Sequence, residues 1–421
     1  MSLVTSAATK KVVIIGGGVI GLCSAYYCAK RGHQVTVIDA GDGAHGCSHG
    51  NAGMIVPSHF VPLAAPGMVA LGLKWMWNPE SPFWIKPRLS LDLLDWGIKF
   101  WRSANAEHVR RSAMVLRDMH LASRGCFEEI AAECGNDFGL VKKGLLMLCK
   151  TQHALDEEAA TAKAANELGI PAEVLDARET AVLDPAVRMD VAGSVYFPKD
   201  CHLSPSRFMD SLVRKLSEAG VEMRWNTRFA SWRKAGDRIT GAETSAGVVE
   251  ADEYVVCGGA WSPDIARGLG VRLPMQAGKG YSLTLADPRE LPQICSILTE
   301  ARVAVTPMGS ALRVGGTMEI AGNDMSVNPR RVQGIVKSLP RYYPEFRVED
   351  FTGIEPWVGL RPCSPDGLPY LGRAPCGNVI IATGHAMMGL SLGPVSGRLV
   401  SEIVSGEATE IDMGMLAPGR W

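Results

Sequence analysis

Four consecutive β-branched residues, Val12 to Ile15, form a short apolar run suited to a strand buried on both faces. Helical spacing follows over roughly Ile20 to Arg31, and a second apolar run, Val35 to Ile38, predicts another strand. The Gly/Ser/His-rich stretch Gly41 to Gly53 has no regular period and reads as loop. Helical segments dominate from about Leu63 to Cys134, including an amphipathic one at Ser112 to Glu133. Leu140 to Leu148 reads as a strand pair or a bent strand, and His153 to Leu168 as a helix. A Pro-bounded connection then leads to a strand at Gly193 to Phe197. Pro205 to Ala219 has a helical pattern with Pro at its start, Val221 to Arg224 is a short strand, and Phe229 to Val249 reads as a β-meander. Ala251 to Ser262 is another buried strand, ending in glycines. The alternating runs Tyr281 to Leu285, Val303 to Thr306 and Ala311 to Gly315 predict an antiparallel sheet. Asn378 to Gly389 repeats the order of strand and glycine turn, before a helix near Pro394 to Ser405.

Between the first strand and the first helix stand Gly16, Gly18 and Gly21, spaced G-x-G-x-x-G. The first allows the tight turn, the second lets backbone approach a pyrophosphate, and the third lets helix pack on strand. The helix beginning at Val19 and Ile20 points its free N–H groups and positive dipole end at the phosphates. Asp39 closes the second strand eighteen residues after Gly21, where a ribose hydroxyl needs an acceptor. Strand, turn, helix and acid together predict an adenine dinucleotide site.

The same chemistry returns near residue 200 and again near residue 356. The expected fold is therefore α/β, with a Rossmann-like dinucleotide-binding domain assembled from 9–68, 200–268 and 356–421. An α+β substrate-binding domain with an antiparallel sheet takes 69–199 and 269–355.

Two domains suit a length of 421 residues, and 47% hydrophobic with 21% charged residues is ordinary for a globular protein. A net charge of −1 gives no general attraction to nucleic acid or acidic lipid. The eleven cysteines are scattered, odd in number and without a C-x-x-C pair, which argues against a disulfide framework or a metal site. Met1 to Lys10 lacks the apolar core of a secretory signal. Leu63 to Leu73, the longest apolar candidate, is too short to span a bilayer and is broken by Pro66, Gly67 and Gly72. These features predict a cytoplasmic protein, with membrane contact at most peripheral, at the inner face.

Six motifs occur in order: the glycine turn, Asn51-Ala52-Gly53, Cys257 to Ser262, Gly278 to Ser282, Gly359 to Pro362 with Pro365 to Gly367, and Thr383-Gly384-His385. Together they resemble flavoenzymes of the D-amino acid oxidase superfamily. Within it the chain is most similar to bacterial FAD-dependent D-amino acid dehydrogenases, with glycine oxidase and sarcosine oxidase more distant. The resemblance runs from about residue 11 to residue 405. It implies FAD, oxidation of an amine beside a carboxylate, and hydride transfer from the substrate α-carbon to flavin N5. It also implies flavin contacts from Ser48, His49 and Asn51 to Gly53, from Gly258 and Trp261, and from Gly384, Met388 and Gly389.

Arg361 is the first candidate for the reacting end. A carboxylate substrate calls for a planar, permanently charged fork, and a charged residue in an apolar, Pro-flanked turn asks for a partner. In the oxidase relatives the matching arginine binds the substrate carboxylate. Tyr281 opens a strand expected to face the flavin; its phenol either bonds the carboxylate or is a sheet aromatic. His385 either shapes the pocket and touches the flavin or is a satisfied core histidine. Cys363 reads as an inert buried thiol rather than a covalent flavin anchor.

Trp75 to Trp101 holds five of the ten tryptophans, interleaved with Lys74, Lys86, Arg88, Lys99 and Arg102. Its two readings are an interfacial helix and a helical cap over the substrate pocket, and the prolines at 79, 82 and 87 favour the cap. The expected function is FAD-dependent oxidative deamination of a D-amino acid, with D-proline or a D-hydroxyproline preferred. The expected electron acceptor is a quinone or another electron carrier. The alternatives are a glycine- or sarcosine-type oxidase using oxygen, and a non-catalytic flavin-binding module that regulates a partner.

Overall fold

The apolar runs at both ends of the sequence meet in one sheet. In the computed structural model, which describes residues 8–75 and 80–421, six strands run in the order Tyr370–Arg373, Val379–Thr383, Glu253–Val256, Lys11–Ile15, Gln34–Ile38, Glu222–Arg224. All pair in parallel except the first two, which are antiparallel. The central strands are buried along their length, as continuous Val/Ile runs require. Helices Val19–Lys30, Pro205–Glu218 and Gly393–Ser405 cover one face, and their fully buried Leu22, Leu216 and Leu399 each contribute roughly 1.5–3 kcal/mol. A meander of Phe229–Ala235, Arg238–Thr244 and Gly247–Val249 packs against the other.

The second sheet runs Trp357–Cys363, Gln276–Leu285, Ala311–Ile320, Val303–Met308, Cys295–Leu298, Leu145–Cys149, Gly193–Phe197, Glu173–Asp176. Helix Pro329–Tyr342 packs Val332, Ile335, Val336 and Leu339 onto one face, against Tyr281, Leu283 and Leu285. Strand residues of the opposite parity, Gly278, Gly280 and Ser282, turn to the other side.

Several elements differ from those expected. Gly359 to Pro362 is not a turn but part of strand Trp357–Cys363, which lies at the sheet edge, where a proline costs no ladder bond. It pairs with Gln276–Leu285, so it belongs to the second sheet although 356–421 was expected in the dinucleotide domain. Phe83–Ile85 interrupts the helical stretch and pairs with Met318 to Ile320. Between these lie helices Leu91–Ser103, capped by the Ser90 side chain, and Ala106–Glu133, capped by Asn105. Of the tryptophan-rich segment, Trp77 and Pro79 lie outside the described residues, as do residues 1–7 of the N-terminal stretch. Trp96 is buried against Met318, Ile320 and Cys363, whereas Trp101 points to solvent. Among the described residues no helix is long and apolar enough to cross a membrane.

Candidate active site

A cleft of about 940 Å³ runs from the first glycine turn to Arg361. The first and third glycines of the turn have a steric reason. Gly16 has φ +115°, and a Cβ there would lie 2.4 Å from the Cys257 carbonyl oxygen. A Cβ on Gly21 would lie 1.8 Å from the Gly16 carbonyl oxygen, so the helix can seat on the turn only without one. Gly18, the helix N-cap, brings no side-chain cap. Instead Ser48 Oγ accepts the Val19 N–H at 3.0 Å. Asp39 accepts N–H bonds from Gly17 through Oδ2 and from Gly41 through Oδ1, both at 2.6 Å. Each carboxylate oxygen keeps a second lone pair for a ribose hydroxyl.

Gly16, Gly18, Val19, Ile20 and Asp39 line one end of the cleft. Ser48, His49, Asn51, Gly258, Trp261 and Gly389 line its course, and Arg361 and His385 the other end. Both ring nitrogens of His49 are buried without a partner on this wall. His385 is satisfied on one side only: Nε2 meets Ser396 Oγ at 2.8 Å, while Nδ1 is buried and unpaired. Burial pulls its pKa down to about 3, so its ring is neutral.

Arg361 Nη1 donates to the Thr317 carbonyl at 2.6 Å. No carboxylate lies within ion-pairing distance among the described residues, and burial lowers the guanidinium pKa. Thr317 itself sits at φ +68°, outside the comfortable range of a β-branched residue. The cause is a bulge: Lys279 pairs with Glu319, but Tyr281 pairs with Gly316. The extra residue turns its carbonyl to the guanidinium. What results is a positive charge on the cleft wall that lacks a negative partner.

A glycine cradle, a helix N-terminus without its own cap, unpaired ring nitrogens and a lone guanidinium fit a long anionic cofactor followed by an acid. The family described as FAD dependent oxidoreductase (DAO) matches residues 11–403. The chain belongs to this family. It is 35% identical over 420 residues to the D-amino acid dehydrogenase of Paramagnetospirillum magneticum (strain ATCC 700264 / AMB-1), covering 98% of this chain and 99% of that one. It is 35% identical over 417 residues to that of Methylobacterium radiotolerans, covering 97% and 99%. The glycine oxidase structure from Geobacillus kaustophilus superposes with a TM-score of 0.78 at 24% identity, covering 98% of this chain and 100% of the other. The protein is thus an FAD-dependent oxidoreductase, and the non-catalytic alternative falls away.

Not every residue named from the family pattern reaches the FAD cleft. Gly21 and Gly53 act behind the wall; Gly53, at φ +78°, would drive a Cβ to 2.3 Å from the Leu203 carbonyl. Ala52, Gly384 and Met388 are also off the cleft surface. Tyr281 is turned away entirely. It shares parity with Leu283, so its ring enters the core under helix Pro329–Tyr342. Its hydroxyl donates to Glu319 and accepts the Asn328 N–H at 3.1 Å. Cys363 is buried off the cleft, and burial pushes its thiol up to about 12.

Other residues shape the FAD site without having been singled out. Arg313 donates through Nη1 to the carbonyls of His49 at 3.0 Å and Asn51 at 2.9 Å. Burial draws its pKa down to about 10, so it stays charged at neutral pH. Ser282 Oγ donates to the Gly50 carbonyl, and Trp357 fills the space over Gly50 and Gly359. An arginine amid apolar alternation was the available signal for Arg313. Loop 321–328 contributes Met325 to the cleft lining. It is held by Lys279 Nζ, which donates to the Ser326 carbonyl at 2.7 Å and pairs with Asp324 at 3.4 Å.

Proposed function

We propose that this protein oxidises a D-amino acid at its amine-bearing carbon and passes the electrons to a quinone or another carrier rather than to oxygen. The observation that carries this reading is Arg361, a guanidinium on the cleft wall with no carboxylate of its own. An amino acid's carboxylate supplies the missing charge through two parallel N–H···O bonds and fixes the α-carbon relative to the cofactor. FAD, cradled by Gly16 to Ile20, Asp39 and Ser48, supplies the hydride acceptor at N5 when bound.

The chain's own residues bind and orient. His385, with a pKa near 3, is too weak a base to take the amine's proton, so the substrate reacts as the neutral amine. Leu360 and Pro362, on either side of Arg361, and Ala386, after His385, are apolar residues of the cleft lining, which favours a small or apolar side chain. A cyclic imino acid such as D-proline or a D-hydroxyproline suits that wall and heads the substrates to test. D-selectivity and the dehydrogenase reading are supported by two relatives 35% identical along nearly their whole length.

The test is an anaerobic screen for bleaching of the bound flavin by D- and L-amino acids, glycine, N-methylglycine and the cyclic imino acids. D-substrates should bleach it, and in air the flavin should stay reduced, with no peroxide formed, until a dye or quinone is added to take the electrons. Bleaching by L-substrates alone, or by N-methylglycine alone, overturns the substrate assignment. Stoichiometric peroxide under air overturns the acceptor.

A further inference from the structure

Lys279 is a charged residue with only 2% of its surface exposed, and an ammonium so deeply placed needs its protons met. It donates to the Ser326 carbonyl at 2.7 Å and pairs with the Asp324 carboxylate at 3.4 Å. These two partners stand on either side of Met325. Asp324 Oδ1 also accepts the Ser326 N–H at 2.9 Å, so the flanking residues are braced to each other as well. Further along, the Asn328 N–H donates to the Tyr281 hydroxyl at 3.1 Å. What this grip leaves free is the methionine side chain, which lines the cleft and still exposes 45% of its surface. That is apolar surface a bound ligand can cover.

Strand register ties the loop to the neighbourhood of Arg361. It leaves strand Ala311–Ile320 at Ile320, which pairs with Gly278, and Gly278 pairs on its other side with Arg361. Lys279 pairs with Leu360, itself part of the cleft lining. Both ends of the loop are therefore anchored on residues 278–281, which lie alongside 358–361. We propose that Met325 is the specificity-determining residue for the substrate's side chain, and that Lys279 is the positioning residue that presents it. A methionine fixed at its backbone and free at its tip packs closely over a small side chain and obstructs a bulky one. This inference rests on the reading of Arg361 as the carboxylate anchor, and adds the group that selects what the carboxylate carries. A loop that only braced the fold would affect every substrate alike.

The experiment measures kcat/KM with a dye as acceptor for D-alanine and D-phenylalanine, in flavin-loaded wild type, Met325→Ala, Lys279→Met and the double variant. Met325→Ala should shift the ratio towards D-phenylalanine by about tenfold or more, the scale of apolar contacts in a side-chain pocket. Lys279→Met should shift it the same way. Combined with Met325→Ala it should add nothing further, because it acts through the methionine. The same proteins are titrated with acetate and phenylacetate, followed by flavin absorbance, and the ratio of dissociation constants should move in step. That arm needs no turnover: if no D-amino acid reduces the flavin but the carboxylates follow the expected ratio, the proposed reaction fails and this inference stands. If Lys279→Met loses flavin, Asp324→Asn replaces it. Ratios that stay within about twofold of wild type in Met325→Ala overturn the role of Met325. A Lys279 variant that weakens both ligands equally, or whose shift adds to that of Met325→Ala, overturns the role of Lys279.

Discussion

The Arg361 guanidinium occupies the space that a side chain at Gly280 would need: a Cβ there would lie 2.2 Å from Nη1 and 2.4 Å from Nη2. The two residues sit on paired strands, and the glycine lets the arginine lie across its neighbour. Gly280→Ala tests this directly. The clash is with the tip of a flexible side chain, so the fold should survive with a stability change of about 1 kcal/mol or less. Displacing the guanidinium should cost about tenfold or more in kcat/KM for an amino acid, with normal flavin content. Steady-state kinetics and the flavin-to-protein absorbance ratio check both halves.

Arg361→Met should separate binding from folding. Removing an unpartnered buried charge should leave thermal stability unchanged or slightly raised in the absence of substrate. Loss of two charge-assisted bonds should lower kcat/KM by about a hundredfold or more, and Arg361→Lys should not restore the paired geometry. A melting temperature that substrate no longer raises would confirm the loss of binding.

Tyr281→Phe distinguishes a substrate contact from a core brace. Glu319 and the Asn328 N–H would each lose a buried partner, at a cost of about 1–3 kcal/mol. Urea unfolding should therefore shift clearly, while KM changes only as far as loop 321–328 loosens. A large KM effect at unchanged stability would instead put the phenol at the substrate.

Acid should weaken the fold. His120 and His385 are held near pKa 3, and His59 and His202 near 4, all by burial, against an ordinary 6.5. Their folded pKa values are depressed, so the stability they protect is present above pH 6.5 and lost as pH falls towards 4. Asp200, raised by burial to about 7 from 3.8, works in the opposite direction across the same window. Four histidines outweigh one carboxyl, so melting temperature should fall from pH 6.5 to 4. His120→Gln should flatten part of that slope.

The glycine turn and Asp39 were legible because each residue answers a local need of backbone or phosphate. Arg361 was legible as chemistry but not as structure. Gly359 and Pro362 disguise a strand as a turn, since nothing local reveals that the strand lies at a sheet edge. Tyr281 was placed on the right strand and the wrong face, a one-residue parity that depends on which side the core takes. Helix Pro329–Tyr342 carries Val332, Ile335, Val336 and Leu339 at helical spacing, yet Pro329 and Pro340 mask its ends. The bulge at Thr317 arises from pairing between distant strands and leaves no local mark.

Residues 47–51 follow the first dinucleotide unit in sequence but are stitched to the second sheet. Leu360 N–H reaches Cys47 Sγ, Ser282 reaches the Gly50 carbonyl, and Arg313 reaches His49 and Asn51. Swinging the two sheets apart would break all of these and pull Trp357 off Gly50. The enzyme is therefore built as a fixed vessel rather than a jaw, its two sheets tied together through residues 47–51 beside the cleft.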